Sequence, residues 1–321
     1  MPDLVNLEAI REAAKRIGGT VRRTPVLDVS HAPASPLWLK CENLQLGGAF
    51  KIRGALNMVG RLDPASCPHG VITYSSGNHG RAVALAARLA GIPATVVMPV
   101  TAPAIKVGSV KELGAHVILE GTTSADRKER AEREAQLHGL TIVPPFDHEW
   151  IIAGQGTIAL EVFEQCPGLS EVYVPVGGGG LISGIAAGIK QLGRGIRVVG
   201  VEPAGAAKMC ASLAAGQPVT LPGTASIADG LLPVRPGDLT FAHVREFVDE
   251  VVTVEDKSIA KAVGWLFQEA KLVVEPSGAA ALAAATHARE SARSRGAAVA
   301  IVSGGNIAAA ELALLTSPNP S

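Results

Sequence analysis

Four consecutive glycines lie between an apolar run and a helical pattern, and they are the first feature that indicates chemistry. The run consists of Gly177, Gly178, Gly179 and Gly180. Successive backbone N–H groups without Cβ atoms can converge on an anion, and a following helix N-terminus adds positive potential. A tight strand–helix turn needs only one glycine, so the run favours a phosphate site. It contains neither GxGxxG nor GK[ST], which argues against a dinucleotide loop or a Walker loop.

A second candidate is Lys51, which stands with Arg53 in the small and apolar segment GGAFKIRGA, residues 47–55. A partly buried lysine loses its proton more readily, and a neutral amine can attack an aldehyde to form an imine. An ordinary surface lysine at a helix start would give the same pattern. The residues alone leave both interpretations open.

Two polar loops follow predicted strands. The loop SSGNHG, residues 75–80, comes after the apolar run 71–74, and Ser303 follows the last apolar run, 297–302. Hydroxyl and N–H groups of the first loop could hold a carboxylate, although Ser and Asn also cap helices routinely, and in isolation the cap is favoured. Ser303 lies at a strand end of the kind where ligands of α/β sheets gather, and a simple turn explains it equally well.

The elements that must position these residues alternate between apolar runs and helical patterns. The runs 71–74, 94–98, 116–119 and 141–143 predict strands, with helices over 81–90 and 124–138 between them. A second series predicts strands over 171–176, 197–201, 247–254 and 297–302, and helices over 181–192, 256–270 and 277–289. This alternation is typical of parallel sheets in α/β proteins. We expect two lobes: a smaller one, 69–147, and a larger one, 1–68 with 148–321.

Bulk composition excludes several classes of protein. The 321 residues include 29 Lys and Arg and 29 Asp and Glu, so net charge is zero and predicts no nucleic-acid or anionic-membrane partner. The four cysteines form no CxxC pair and are too scattered for a disulfide framework or a zinc cluster. The sequence contains no uninterrupted apolar stretch of about 18 residues, the length that a membrane span needs. No signal peptide is recognised either, so we expect a cytoplasmic protein.

Taken together, these motifs resemble a known family. AFKIRGALN, SSGNHG, AGQGTIALE, PVGGGGLISG, IADG, EPSGAA and SGGN occur in this order from about residue 24 to residue 306. The chain resembles fold-type II pyridoxal-phosphate enzymes, which have a tryptophan synthase β-like fold, in the branch of threonine/serine dehydratases and serine racemases. The resemblance implies two α/β lobes, each with a mostly parallel sheet flanked by helices, and pyridoxal 5'-phosphate as cofactor.

The resemblance also assigns roles at the cofactor. Lys51 would form the Schiff base and act as a base on the α-proton, and Phe50 would lie against the pyridine ring. Asn78 would hydrogen-bond the 3′ oxygen of the ring, and Ser303 would meet the ring nitrogen. The four glycines 177–180 would cradle the phosphate.

On the substrate side, Ser75, Ser76, Asn78 and His79 would bind the amino acid, chiefly through its carboxylate. Ser76 would face Lys51 across the substrate and could return a proton from the opposite side, as in racemases. Dehydratases carry the same loop, so Ser76 permits racemisation without establishing it. The favoured function is a dehydratase (ammonia-lyase) of L-threonine and/or L-serine. The alternatives are a serine racemase and a dehydratase of another 3-hydroxy amino acid.

Relatives in this branch bind a divalent cation through a Glu, a backbone carbonyl four residues on and an Asp six residues on. Here Glu202 and Ala206 match, but Lys208 replaces the Asp. An ammonium group is no metal ligand and could instead occupy the place of the cation and pair with Glu202. We therefore expect no metal. Lys106 and Arg127 match substrate-side positions more loosely.

Other readings of the same fold remain. A β-replacement synthase shares the architecture, although its asparagine loop differs from SSGNHG. A protein with a relic cofactor site is disfavoured by the intact Lys51. By analogy with the family, a homodimer acting on a small amino acid is expected.

Overall fold

The computed structural model describes residues 3–30, 36–63, 67–75, 77–193, 195–291 and 296–317. Ser76, for which the sequence predicts a role in catalysis, lies outside these residues. In the ranges that are described, no helix has both the length and the apolar character needed to cross a membrane.

The strands belong to two sheets. They are β1 (Val26–Asp28), β2 (Leu37–Cys41), β3 (Val71–Tyr74), β4 (Ala94–Met98), β5 (His116–Leu119), β6 (Thr141–Ile142), β7 (Leu169–Pro175), β8 (Arg197–Pro203), β9 (Glu250–Val254) and β10 (Ala297–Val302). Within the described ranges, six strands form one sheet in the order β1-β2-β10-β7-β8-β9, and four form another in the order β5-β4-β3-β6. Each pairing is parallel except β1 with β2. The fold is therefore the predicted α/β class with mostly parallel sheets.

Helices flank both sheets. They are α1 (Leu7–Ile17), α2 (Lys51–Val59), α3 (Asn78–Ala90), α4 (Ala104–Lys111), α5 (Ser124–His138), α6 (Glu149–Gln165), α7 (Gly180–Leu192), α8 (Lys208–Ala215), α9 (Asp238–Phe247), α10 (Asp256–Gln268), α11 (Pro276–Glu290) and α12 (Ala309–Thr316). Local signals define several ends. Thr123 and Asp126 form a reciprocal capping box at the start of α5. Gly91 ends α3 in the left-handed conformation.

The larger sheet is buried on both faces, which explains its nearly continuous apolar strands. Along β7, Val172 and Val174 pack into one core cluster and Tyr173 into the cluster on the other face. Short polar turns at the carboxyl ends of these strands can therefore carry ligand-binding groups on a rigid frame.

The smaller sheet lies wholly between residues 71 and 142. This agrees with a separate sheet in the middle of the chain, whereas the predicted lobe limits at 68/69 and 147/148 remain a prediction. One predicted strand was placed wrongly at its start. Phe247 ends helix α9 and packs against the cluster of Val5 and Ile10, so strand β9 begins only at Glu250.

Candidate active site

Lys51 is the first residue of helix α2, and its amine is held inside the protein. Its Nζ donates a hydrogen bond to the carbonyl oxygen of Pro145 at 2.7 Å and lies 5.2 Å from the centre of the Phe50 ring. Burial lowers the pKa of Lys51 to about 8. A substantial fraction of the amine is thus neutral near physiological pH, which is the form that attacks an aldehyde or accepts a proton.

The start of α2 is fixed against the end of strand β10. The Phe50 N–H donates to the Ser303 carbonyl oxygen at 3.1 Å, and Ala49 forms an isolated bridge with Gly304. Two residues along the helix, the buried Arg53 guanidinium binds the carboxylates of Glu42 at 2.8 Å and Glu161 at 2.7 Å. This buried ion pairing anchors the turn that carries Lys51.

The glycine run connects β7 to α7 and packs closely against neighbouring parts of the chain. Gly179 has φ +102°, a conformation that L side chains rarely adopt. A Cβ added at Gly178 would lie 2.3 Å from the Phe146 ring. The first N–H groups of α7 have no partner within the helix and lie at its positive end. The run is therefore shaped for an anion such as phosphate.

Thr240, a residue that sequence reasoning missed, hydrogen-bonds the backbone of this loop. Its Oγ1 donates to the Gly178 carbonyl oxygen at 2.7 Å, and its own N–H donates to Asp147 at 3.0 Å. Asp147 and Phe146 directly follow Pro145, the acceptor of the Lys51 amine. One short segment, 145–147, therefore connects the lysine with the glycine loop.

The loop after β3 leads into α3, whose first residue is Asn78. The Asn78 Nδ2 donates to Glu275 Oε1 at 2.6 Å, and its Oδ1 accepts from Asn306 Nδ2 at 2.7 Å. At the start of the loop, the Ser75 Oγ accepts a hydrogen bond from the Gly77 N–H at 3.3 Å. Neither Glu275 nor Asn306 had been assigned a site role from the sequence. No local pattern could have indicated contacts so distant along the chain.

His79, the second residue of α3, is buried and its ring contacts the segment after β6. Its Nε2 donates to the Val143 carbonyl oxygen at 3.1 Å. Burial, with the nearby positive charge of Lys51, lowers the pKa of His79 to about 3. The ring is neutral at physiological pH and brings no positive charge toward a carboxylate. Its substrate-binding role stays a prediction.

Ser303 follows β10 and is buried beside Phe50. Its Oγ lies 3.4 Å from the Ser277 carbonyl oxygen, a long contact that the hydroxyl could give up to another acceptor. The Ser277 Oγ in turn accepts from the Gly230 N–H at 2.8 Å, which joins the motifs EPSGAA, IADG and SGGN at one edge of the sheet.

Lys208 lies close to the glycine loop and is fully buried. Its Nζ lies 2.9 Å from Glu202 Oε1 and donates to the carbonyl oxygens of Val176, Ala206 and Leu231 at 3.0 Å each. Burial lowers the pKa of Lys208, and the carboxylate of Glu202 opposes that shift. Four oxygen atoms thus surround one ammonium group. The pairing with Glu202 agrees with the expectation from the sequence.

The two looser candidates lie in different settings. Lys106 Nζ forms an ion pair with Asp229 at 3.0 Å, which links α4 with the turn 229–231. Arg127 donates to the Thr122 carbonyl oxygen at 3.3 Å and to Ser124 Oγ at 3.0 Å, both at the start of its own helix. Through these contacts Arg127 caps the start of α5. Among the described residues, its hydrogen bonds do not reach the Lys51 region.

The geometry agrees with what known proteins indicate. A family model described as "Pyridoxal-phosphate dependent enzyme" matches residues 17–304. The chain belongs to this family. Its cofactor is therefore pyridoxal phosphate, and its fold is that of fold-type II enzymes.

Individual relatives carry two kinds of activity. Serine racemase from Oryza sativa subsp. indica is 45% identical over 283 residues, which are 87% of this chain and 83% of that protein. L-threonine ammonia-lyase from Thermotoga maritima is 43% identical over 308 residues, 95% of this chain and 76% of that protein. The solved structure of maize serine racemase has a TM-score of 0.92 at 42% identity and covers 97% of this chain and 96% of that one. These similarities do not separate racemase from ammonia-lyase.

The described residues offer a counterpart to each part of pyridoxal phosphate. The glycine run at the N-terminus of α7 suits the phosphate, and the Lys51 amine suits the aldehyde. Phe50, Asn78 and Ser303 offer a ring, an amide and a hydroxyl for the rest of the cofactor. The residues therefore fit the cofactor of the family, while the contact of each one with it remains a prediction.

Proposed function

We propose that this protein is an ammonia-lyase that converts L-threonine, L-serine or both into a 2-keto acid and ammonia. The observation that carries the proposal is the Lys51 amine, buried beside the glycine cradle with its pKa lowered to about 8. Removal of an α-proton followed by loss of the β-hydroxyl needs one well-placed base. Lys51 supplies that base at physiological pH.

The chain's residues divide the work with the cofactor. Bound pyridoxal phosphate withdraws electrons from the α-carbon of the substrate. The glycine loop and the first turn of α7 would hold the phosphate, and the Asn78 amide would orient the ring. The Ser303 hydroxyl would meet the ring nitrogen and, unlike a carboxylate, would not keep a full proton there. This arrangement would favour loss of the β-hydroxyl of the substrate.

Substrate binding falls to the start of α3 in this proposal. The N–H groups of its first turn lie at the positive end of the helix and attract the substrate carboxylate, together with the hydroxyls of Ser75 and Ser76. Water leaves in the elimination and one water molecule returns in the release of ammonia. L-Threonine would thus yield 2-oxobutanoate, and L-serine would yield pyruvate.

A serine racemase is the second candidate, and the 45% identity to the rice serine racemase supports it. Inversion needs a second group that returns a proton to the face opposite Lys51. Ser76 is the candidate for that role. His79 is a poor one, because burial holds its ring neutral and its Nε2 donates to Val143.

We further propose that neither activity requires a divalent cation. The Lys208 ammonium already binds the Glu202 carboxylate and three backbone carbonyls next to the glycine loop. A homodimer is expected by analogy with the family, and light scattering would test the oligomeric state.

The decisive experiment follows keto-acid formation and the chirality of the remaining amino acid in the same reaction. The purified holoenzyme is incubated with L-threonine or L-serine, with and without EDTA. An ammonia-lyase yields keto acid with little D-isomer, and Ser76→Ala, which loses one hydroxyl proposed to bind the substrate carboxylate, raises KM but retains most of the rate at saturating substrate. D-Serine formation faster than pyruvate formation, lowered about 100-fold by Ser76→Ala, would establish the racemase instead.

A further inference from the structure

A chain of side-chain hydrogen bonds lies behind the Asn78 amide and joins three distant parts of the sequence. Asn306, after β10, donates from Nδ2 to Asn78 Oδ1 at 2.7 Å. Asn78, at the start of α3, donates from Nδ2 to Glu275 Oε1 at 2.6 Å. Glu275 stands immediately before α11, within the motif EPSGAA.

One end of this chain is anchored by a backbone group whose hydrogen-bonding role cannot reverse. Asn306 Nδ2 also donates to the Gly47 carbonyl oxygen at 2.9 Å, which requires the nitrogen on that side. At the other end, Glu275 Oε1 accepts from Asn78 Nδ2. An amide flipped at Asn78 would turn its nitrogen toward the Asn306 nitrogen and lose that hydrogen bond. The orientation of the Asn78 amide therefore follows from its surroundings.

The carboxyl of Glu275 is itself held tightly. The residue is only 6% exposed, and its N–H donates to the Gly304 carbonyl oxygen at 3.1 Å. A Cβ at Gly304 would lie 2.0 Å from Glu275 Oε1, so the backbone passes directly over the carboxyl. Burial raises the pKa of Glu275 to about 8, with Asp229 and Glu311 adding to the shift and Asn78 and Lys106 opposing it.

An amide nitrogen carries two hydrogens. One hydrogen on Asn78 Nδ2 points to Glu275, and among the described residues the second has no protein acceptor. We propose that Glu275 and Asn306 are positioning residues, which hold the Asn78 amide so that its second N–H points at the cofactor ring oxygen. This inference rests on the proposed contact between Asn78 and that oxygen.

The test compares the holoenzyme with its Glu275→Ala, Asn306→Ala and Asn78→Ala variants. Two readouts are independent of turnover: the absorbance spectrum of the bound cofactor and the dissociation constant for pyridoxal phosphate. Glu275→Ala and Asn306→Ala should each change the spectrum in the same direction as Asn78→Ala. Each should weaken cofactor binding about tenfold, the loss expected for one hydrogen bond.

Two further variants separate positioning from general damage. Glu275→Gln keeps an oxygen that accepts from Asn78, so its spectrum and affinity should stay within about twofold of the wild type. Glu311→Gln is the matched control, since Glu311 is an exposed acid that acts on Glu275 by charge alone. It should change neither readout. Should Glu275→Ala fail to fold, Asn306→Ala and Glu275→Gln carry the test.

The outcomes distinguish the inference from the proposal beneath it. An unchanged spectrum in Asn78→Ala would remove the contact on which the inference rests. A spectral change in Asn78→Ala that neither Asn306→Ala nor Glu275→Ala reproduces would show that the amide is oriented without them, and would overturn the inference alone.

Discussion

Lys51 is half-buried with an enclosed amine and Lys208 is fully buried, and their amines differ in one respect. In the described part of the chain, Lys51 Nζ has a single hydrogen-bond acceptor, the Pro145 carbonyl oxygen at 2.7 Å. Lys208 Nζ has three carbonyl acceptors and the carboxylate of Glu202 at 2.9 Å. Both amines are removed from water, but only Lys208 has a carboxylate beside it that offsets the lost hydration.

Burial disfavours the charged amine at both positions. At Lys51 nothing compensates, and the pKa falls to about 8. At Lys208 the carboxylate of Glu202 opposes the lowering of the pKa and pairs with the ammonium group. The absence of a carboxylate makes one lysine reactive, and its presence makes the other structural. Lys40, bound to Glu161 at 2.5 Å, follows the second pattern.

The largest expected effect is on catalysis at Lys51. Lys51→Ala removes the amine that acts as base, so turnover of L-threonine or L-serine should fall at least about 1,000-fold. Steady-state keto-acid formation measures it. Lys257→Ala, at an exposed lysine, is the matched control and should retain activity. A Lys51→Ala variant with near-native turnover would contradict the role of Lys51 as the base.

Lys208 should matter to stability rather than to the chemical step. Lys208→Met leaves the Glu202 carboxylate buried without its partner, so the free energy of unfolding should fall by about 3–5 kcal/mol. Urea denaturation of the holoenzyme gives this value. The double variant with Glu202→Gln should recover part of the loss, because the amide oxygen still accepts from the Met209 N–H. No recovery would indicate that the carbonyl cage, and not the charge pair, dominates.

The corresponding substitution at Lys51, Lys51→Met, should raise the free energy of unfolding of the cofactor-free protein, whereas Lys208→Met lowers it. The pKa of Lys51 is lowered in the folded state, so the stability from its neutral form is complete above about pH 10.5 and is lost as pH falls through about 8. Near pH 7, the free energy of unfolding of Lys51→Met should therefore be about 3 kcal/mol higher than that of the wild type. The difference should vanish above pH 10.5. A destabilised variant at pH 7 would mean that Lys51 is not strained by burial.

The smallest expected effect is that of metal removal. The Lys208 ammonium already occupies the space between the four oxygen atoms of Glu202, Val176, Ala206 and Leu231. EDTA or added Mg²⁺ should therefore change activity by less than about twofold, and the melting temperature by less than about 2 °C. Keto-acid assays and thermal unfolding of the holoenzyme check both. Strong activation by Mg²⁺ would show that a cation binds despite the lysine.

Much of this comparison was accessible from local sequence. Short apolar runs, turns and helical patterns predicted the alternation that the structure shows, and strands β3, β4, β5 and β10 have the predicted bounds. Composition and spacing also indicated the anion-binding glycine run and a lysine of unusual surroundings. These properties depend on backbone geometry and on neighbours within a few residues, which the sequence displays directly.

Tertiary structure alone decided which groups face those residues. Pro145 accepts from Lys51 across 94 residues, and Glu275 and Asn306 contact Asn78 across 197 and 228 residues. Helix α3 also begins at Asn78, three residues before its predicted start at 81, because the last residues of the loop, 78–80, already form the first turn of the helix. Such contacts depend on how two sheets pack together, and no periodicity along the chain encodes that. The sequence determined which residues could react, and the packing determined their charge and orientation.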